Sequence, residues 1–133
     1  MSTVDNKAAV RRIYDDLWNA GNLAVADEIF VHAEGVKRYI HNFRAAFPDV
    51  HHAIDEMVAE GDTVVARWTA HGTHTGPWHN IAPTHQTVTF TGITIAHLVN
   101  GKIADHQTQW DTLALLEQLG VAPKIRKADG SRL

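Results

Sequence analysis

Cysteine is absent from all 133 residues. That excludes disulfides, thiolate nucleophiles and cysteine-ligated metals. No run of eighteen apolar residues occurs, so no helix is expected to span a membrane. Neither charge sign dominates: 12 Lys and Arg stand against 15 Asp and Glu, a formal net charge of −3. Nucleic acid and anionic membrane surfaces are therefore poor candidates for the main partner. The first residues lack a basic stretch followed by an apolar one, so no secretory signal is legible and a cytoplasmic location is expected. There is no glycine-rich phosphate loop, no serine in a nucleophile elbow, no internal repeat and no low-complexity segment.

What is plentiful is apolar residues, 44% of the chain, with ten histidines and four tryptophans. A chain of this length predicts one domain, residues 1–133, whose last dozen residues form a basic, polar tail. Val10, Ile13, Tyr14, Leu17 and Trp18 recur at helical spacing and predict a helix over 7–20. Asn19-Ala20-Gly21-Asn22 stops it, and a second helix is expected over 23–31. A third, over 36–47, aligns Val36, Ile40, Phe43 and Phe47 and ends at Pro48.

From there the pattern alternates. Strands are expected near 50–59, 63–74, 87–99 and 102–111, then a short helix over 113–119 closed by Gly120. Asn100-Gly101 between two such runs is a strong hairpin signal, and Glu60-Gly61-Asp62 acts in the same way. Residues 74–86 carry two prolines and three histidines and read as a long irregular turn. The fold class is therefore α+β: helices packed on a curved antiparallel sheet, with Gly72 and Gly92 as the expected bends.

Several stretches resemble the SnoaL-like polyketide cyclases of the NTF2-like superfamily. They are Leu17-Trp18-Asn19-Ala20-Gly21-Asn22, Gly35-Val36-Lys37, Phe47-Pro48-Asp49, Val58-Ala59-Glu60-Gly61-Asp62 and Gly72-Thr73-His74-Thr75-Gly76. Pro83-Thr84, Asn100-Gly101-Lys102-Ile103-Ala104-Asp105-His106, Trp110-Asp111-Thr112 and Gln118-Leu119-Gly120 continue the series. The resemblance spans roughly residues 7–120 and implies a cone-shaped fold, a pocket for a small apolar or aromatic molecule, no cofactor, and a homodimer. There are two departures. Phe30 is followed almost at once by Gly35, where relatives carry a longer stretch edging the pocket, and Gln107 stands where relatives often have tryptophan.

The resemblance implies that Asp111, directly after Trp110, is the acid/base aspartate and that His97 is a pocket histidine. Burial beside aromatic groups would raise the Asp111 pKa into a useful range; capping the helix that follows is its competing role. Strand parity groups Asp105, Gln107 and Asp111 with Ile103, and separately Ala104, His106, Thr108 and Trp110. On the neighbouring strand it groups Ile93, Ile95 and His97. The expected pocket is therefore lined by Trp18, Ile93, Ile95, His97 and Gln107, with Tyr14, Arg67 and Asp105 as further substrate contacts. His51 and His52 point to opposite faces of their strand.

The leading expectation is a cofactor-free cyclase that closes a polyketide-like carbonyl compound by intramolecular aldol condensation. A hydrolase or isomerase using Asp105, Arg67 and Asp111 is a second reading, because an arginine flanked by two carboxylates resembles the limonene-type epoxide hydrolases. A binding protein without catalysis is the third. No metal-ligand spacing is present. Trp68, Trp110, Ala66 and Val64, or the residues that share their face, are expected on an outer sheet surface buried in a homodimer.

Overall fold

A computed structural model describes residues 2–121 and residue 128; the basic tail expected from the sequence lies outside the described residues. Four strands follow three helical segments. They are β1 His51–Glu60, β2 Thr63–Thr73, β3 Thr87–Val99 and β4 Lys102–Trp110, in one antiparallel sheet of order β1-β2-β3-β4. Asn100 at φ 50 and Gly101 at φ 80 make the β3–β4 hairpin, the left-handed pair that a type I′ turn demands.

The helices sit on one face of this sheet. α1, Thr3–Arg12, begins at Ser2, whose hydroxyl accepts the Asp5 amide. Asn6 is fully buried and donates to the Gly61 carbonyl and to Asp62, tying α1 to the β1–β2 turn. The α-helix expected over 7–20 changes character half-way: Ile13–Asn19 is a π turn, with the Ala20 amide reaching back five residues to the Asp15 carbonyl. The wider turn lets Ile13, Tyr14 and Leu17 all bury, and the Arg44 guanidinium takes up the Trp18 carbonyl at its end. After a 3₁₀ turn over Leu23–Val25 come α2, Ala26–Ile29, and α3, Glu34–Ala46. α4, Thr112–Gln118, closes the described chain.

The two bends in the sheet are not at the glycines. One extra residue, Asp55, is inserted between the pairs Ile54–Trp68 and Glu56–Arg67, and another, Ala104, between His97–Asp105 and Leu98–Ile103. Gly92 instead permits close packing: a Cβ there would lie 2.3 Å from the Trp68 indole. Gly72 keeps regular pairing with Val88 and lies close to the Val50 backbone.

The β4 bulge fixes which residues face the helices. Ile103 is 1% exposed and pairs with Phe30, while the Val31 amide donates to its carbonyl at 2.9 Å. The short connection after α2 is thus sewn to β4. Past Ala104 the parity changes, so His106, Thr108 and Trp110 join Ile103 on the inner side, and Asp105, Gln107 and Gln109 turn outward. On β2 and β3 the alternation is unbroken: Val64, Ala66, Trp68 and Ala70 face Val88, Phe90, Gly92, Thr94, Ala96 and Leu98 in the core. The placement of Trp68, Trp110, Ala66 and Val64 on the outer surface is therefore corrected. They point toward the helices, where their bulk fills the core.

Candidate functional site

Between the inner face of the sheet and the helices lies a cavity of about 580 Å³. α3 contributes Gly35, Val36, Tyr39, Ile40 and Phe43, the π turn contributes Tyr14 and Trp18, and Phe30 and His32 come from the connection after α2. The sheet supplies His52, Trp68, Phe90, Thr94, His106, Thr108 and Trp110. His32, Gly35, Tyr39 and Thr108 are exposed and mark the opening, between α3 and the edge strand β4. The shortened connection therefore does not remove a wall; Phe30 and His32 form it.

The walls are mostly aromatic, and no carboxylate among the described residues lines them. Polar groups are few and organised. Thr94, 3% exposed, is a junction: its hydroxyl accepts from the Tyr14 phenol at 2.7 Å and from the Trp68 indole nitrogen at 3.2 Å, and lies 2.9 Å from the Thr108 hydroxyl. A hydroxyl has one proton to give. With two donors already aimed at it, Thr94 gives that proton to Thr108, and the Thr108 proton is left for the cavity. Burial pushes the Tyr14 pKa up to about 12, so the phenol keeps the proton it donates to Thr94.

Two histidines of the sheet face the same space. His106 is half-buried, its ring 5.3 Å from that of Phe30; burial lowers its pKa below the ordinary 6.5, against a smaller opposing pull from Asp105. It lies two residues from Thr108 on the same side of β4. His52 is 4% exposed, between Trp18 and Trp68 with ring centroids 4.7 Å away from each. Burial first, then the nearby His51 and His71, push its pKa down to about 3, so its imidazole is neutral. Asn19 clamps its backbone, accepting from the His52 amide at 2.7 Å and donating to the His52 carbonyl at 2.9 Å.

Of the residues expected from the sequence, Tyr14 and Trp18 line the cavity. The others do not, and their placement is corrected. Asp111 is exposed and caps α4, its carboxylate accepting from the Ala114 amide at 3.0 Å. His97 is exposed near the hairpin, 3.2 Å from the Thr63 hydroxyl. Ile93 and Ile95 are 45% and 40% exposed on the outer face, because the β3 alternation that buries Phe90 and Thr94 turns odd positions outward. Arg67 lies on that face, with Asp55 at 3.6 Å and Glu56 at 3.5 Å rather than Asp105. Asp105 and Gln107 follow Arg67 outward, carried there by the Ala104 bulge. His52, Thr94, His106 and Thr108 line the cavity outside that expectation. The usable signal was Trp110 and Trp68: two large aromatics mark the buried side of an alternating strand, and His106 and Thr108 share parity with Trp110.

Among the described residues no helix is long and apolar enough to cross a membrane. No match was found among curated proteins. Solved structures are similar across nearly the whole chain. AclR from Streptomyces galilaeus has a TM-score of 0.84 at 24% identity, covering 96% of this chain and 93% of its own. TsrD from Streptomyces laurentii has 0.85 at 23%, covering 92% and 99%. A SnoaL-like polyketide cyclase from Agrobacterium tumefaciens has 0.72 at 17%, covering 90% and 99%. These likenesses establish the NTF2-like α+β fold. The family model described as SnoaL-like polyketide cyclase matches residues 8–119, so the chain belongs to the SnoaL-like polyketide cyclase family.

Proposed function

We propose that the protein is a cofactor-independent acid–base catalyst acting on an apolar carbonyl compound with an acidic C–H, closing it by intramolecular aldol condensation. The observation that carries this reading is the placement, in the cavity wall and on one face of β4, of the His106 imidazole two residues from the Thr108 hydroxyl; burial favours the neutral form of that imidazole. Residues two apart along a strand lie about 7 Å apart, a span that one enolisable carbonyl fragment can bridge. His106 takes the proton next to the carbonyl. The Thr108 hydroxyl donates to the oxygen as negative charge develops, backed by Thr94 and Tyr14. The enolate carbon then forms a bond to a second carbonyl carbon held beside it by the aromatic walls. The new alkoxide recovers the proton from the His106 imidazolium, and the catalyst is restored.

The first step is testable without the natural substrate. Solvent deuterium should enter the α positions of 2-tetralone faster with protein than without, read by proton NMR. His106→Gln should reduce that acceleration about 10²-fold or more, the range of a lost acid/base group. A protein that binds 2-tetralone and leaves the exchange at its background rate is a binder without catalysis, and that result overturns the reading. A hydrolase built on Asp105, Arg67 and Asp111 is disfavoured, because those three lie outside the cavity. A collapsed pocket is disfavoured by volume, since about 580 Å³ exceeds the roughly 300 Å³ lower bound for ligand sites.

We also infer a homodimer through the outer face of the sheet, in the cytoplasm. Val58, Val65 and Ile95 pair across three strands, with Ile93 beside them and Arg67 at the margin. That face is more apolar at its centre than a wet surface favours. Sedimentation at micromolar concentration should give twice the chain mass, and Ile95→Asp should give a monomer; a wild-type monomer at that concentration overturns the inference.

A further inference from the structure

His52 has no part in the acid–base steps, yet it is a deeply buried polar group in the cavity wall. Its Nδ1 is buried without a hydrogen-bond partner. Its Nε2 also has no partner among the described residues, but is not sealed off, so the ring meets the cavity through that nitrogen. The Asn19 clamp holds the backbone on both sides, so the ring has no other partner to turn to. A buried imidazole with both nitrogens unpaired is costly. A bare acceptor is tolerated in a core more readily than a stranded N–H. The sealed Nδ1 therefore carries the lone pair and Nε2 the proton, aimed into the cavity.

We propose that His52 is a specificity-determining residue whose Nε2–H donates to an acceptor oxygen at the inner end of the ligand. The proposal rests on the cavity being the ligand site. Because the ring stays neutral, the oxygen it takes is that of a carbonyl, hydroxyl or ether rather than a carboxylate, which would need a counter-charge. His52 is on β1 and Thr108 on β4, opposite edges of a sheet about 14 Å across when flat. The ligand is accordingly an elongated apolar molecule with an acceptor oxygen toward each end: one at the opening, where the chemistry occurs, and one deep inside, where it is recognised.

Fluorenone and fluorene share a shape and differ by one carbonyl oxygen, and fluorenone has no C–H beside its carbonyl to exchange. Their affinities can be read from the fluorescence of the cavity tryptophans. In a Thr108→Val background, which leaves His52 as the donor under test, adding His52→Phe should weaken fluorenone about fivefold, the worth of one net hydrogen bond. It should leave fluorene within twofold, and His52→Gln should retain part of the fluorenone affinity. In the wild type, nitrogen-15 NMR should show the Nε2–H tautomer at neutral pH, with that resonance moving on addition of fluorenone and not of fluorene. Equal weakening of both ligands, or an Nδ1–H tautomer, overturns the proposal. Should His52→Phe fail to fold, the tautomer and the ligand-induced shift decide. Loss of 2-tetralone exchange alone, with the fluorenone preference intact, overturns the acid–base reading and leaves this one standing; failure of both ligands to bind overturns both.

Discussion

The two faces of the sheet are made by the same four strands and carry opposite chemistry. The outer face holds the groups that a reader of sequences associates with catalysis: Asp105, His97, and Arg67 with Asp55 and Glu56 at 3.6 and 3.5 Å. There they are hydrated, and exposed ion pairs of this kind are worth little. The inner face holds tryptophan, phenylalanine, two threonines and two histidines, none of them charged at neutral pH. Yet it is the inner groups whose properties are altered, because water is scarce there: a phenol pushed to about 12, an imidazole pushed to about 3 and a second imidazole lowered by burial. The contrast teaches that charge in a strand marks its wet side, and that reactivity follows desolvation.

The comparison can be broken most directly by exchanging roles between the faces. His106→Gln should lower 2-tetralone exchange by about 10²-fold or more, whereas Asp105→Asn should leave it within twofold. The pH profile sharpens this. A base whose pKa is lowered stays unprotonated further into acid, so the acid limb of the wild-type rate should have its midpoint below 6.5. A midpoint at or above 6.5 would remove His106 from the role.

Stability gives the next largest difference. The folded protein holds His52 neutral down to about pH 3, while an unfolded chain protonates it near the ordinary 6.5. Stability should therefore fall with acid by about 1.4 kcal/mol per pH unit from this group, roughly 3 kcal/mol between pH 6.5 and pH 4. His52→Phe should remove that part of the slope in urea unfolding followed across pH; an unchanged slope would show that the ring is not held neutral. Gly92→Ala forces a methyl into the Trp68 indole and should destabilise by about 1–3 kcal/mol, measured as a lowered urea midpoint. Tyr14→Phe removes one donor from Thr94 and should cost about 1 kcal/mol of stability and slow exchange several-fold. Asp111→Asn should change neither activity nor melting temperature appreciably, because asparagine caps α4 equally well.

Local rules made much of this fold legible. The Asn100-Gly101 turn, the alternating runs on either side of it and the helix stop before Pro48 are all written within a few residues of where they act. The cavity was less legible because a single residue decides it. Parity along β4 is simple until Ala104, and the bulge there depends on Ile103 pairing with Phe30, more than seventy positions earlier. Apolar Ile103 shares odd numbering with Asp105 and Gln107, so an unbroken strand reads them all as inward. The π turn is similar: its sequence is ordinary amphipathic helix, and the wider winding is imposed by what Tyr14 and Trp18 meet across the cavity. Asp111 was legible in both its roles, and hydrogen bonding to the Ala114 amide chose the cap.

Gly92 has a consequence for descent. The Trp68 indole lies where any other residue at position 92 would place its first carbon, so the smallest residue in β3 holds the largest inner side chain in position. One codon change at 92 would displace the indole, and with it the donor that Trp68 gives to Thr94 and one wall against His52. A lineage could thus alter the shape of the chamber and the polarity of its floor in a single heritable step, without touching a residue that meets the reacting atoms. Because the Trp68 donor to Thr94 also helps to orient the Thr94–Thr108 pair, ligand preference and the Thr108 donor would shift together.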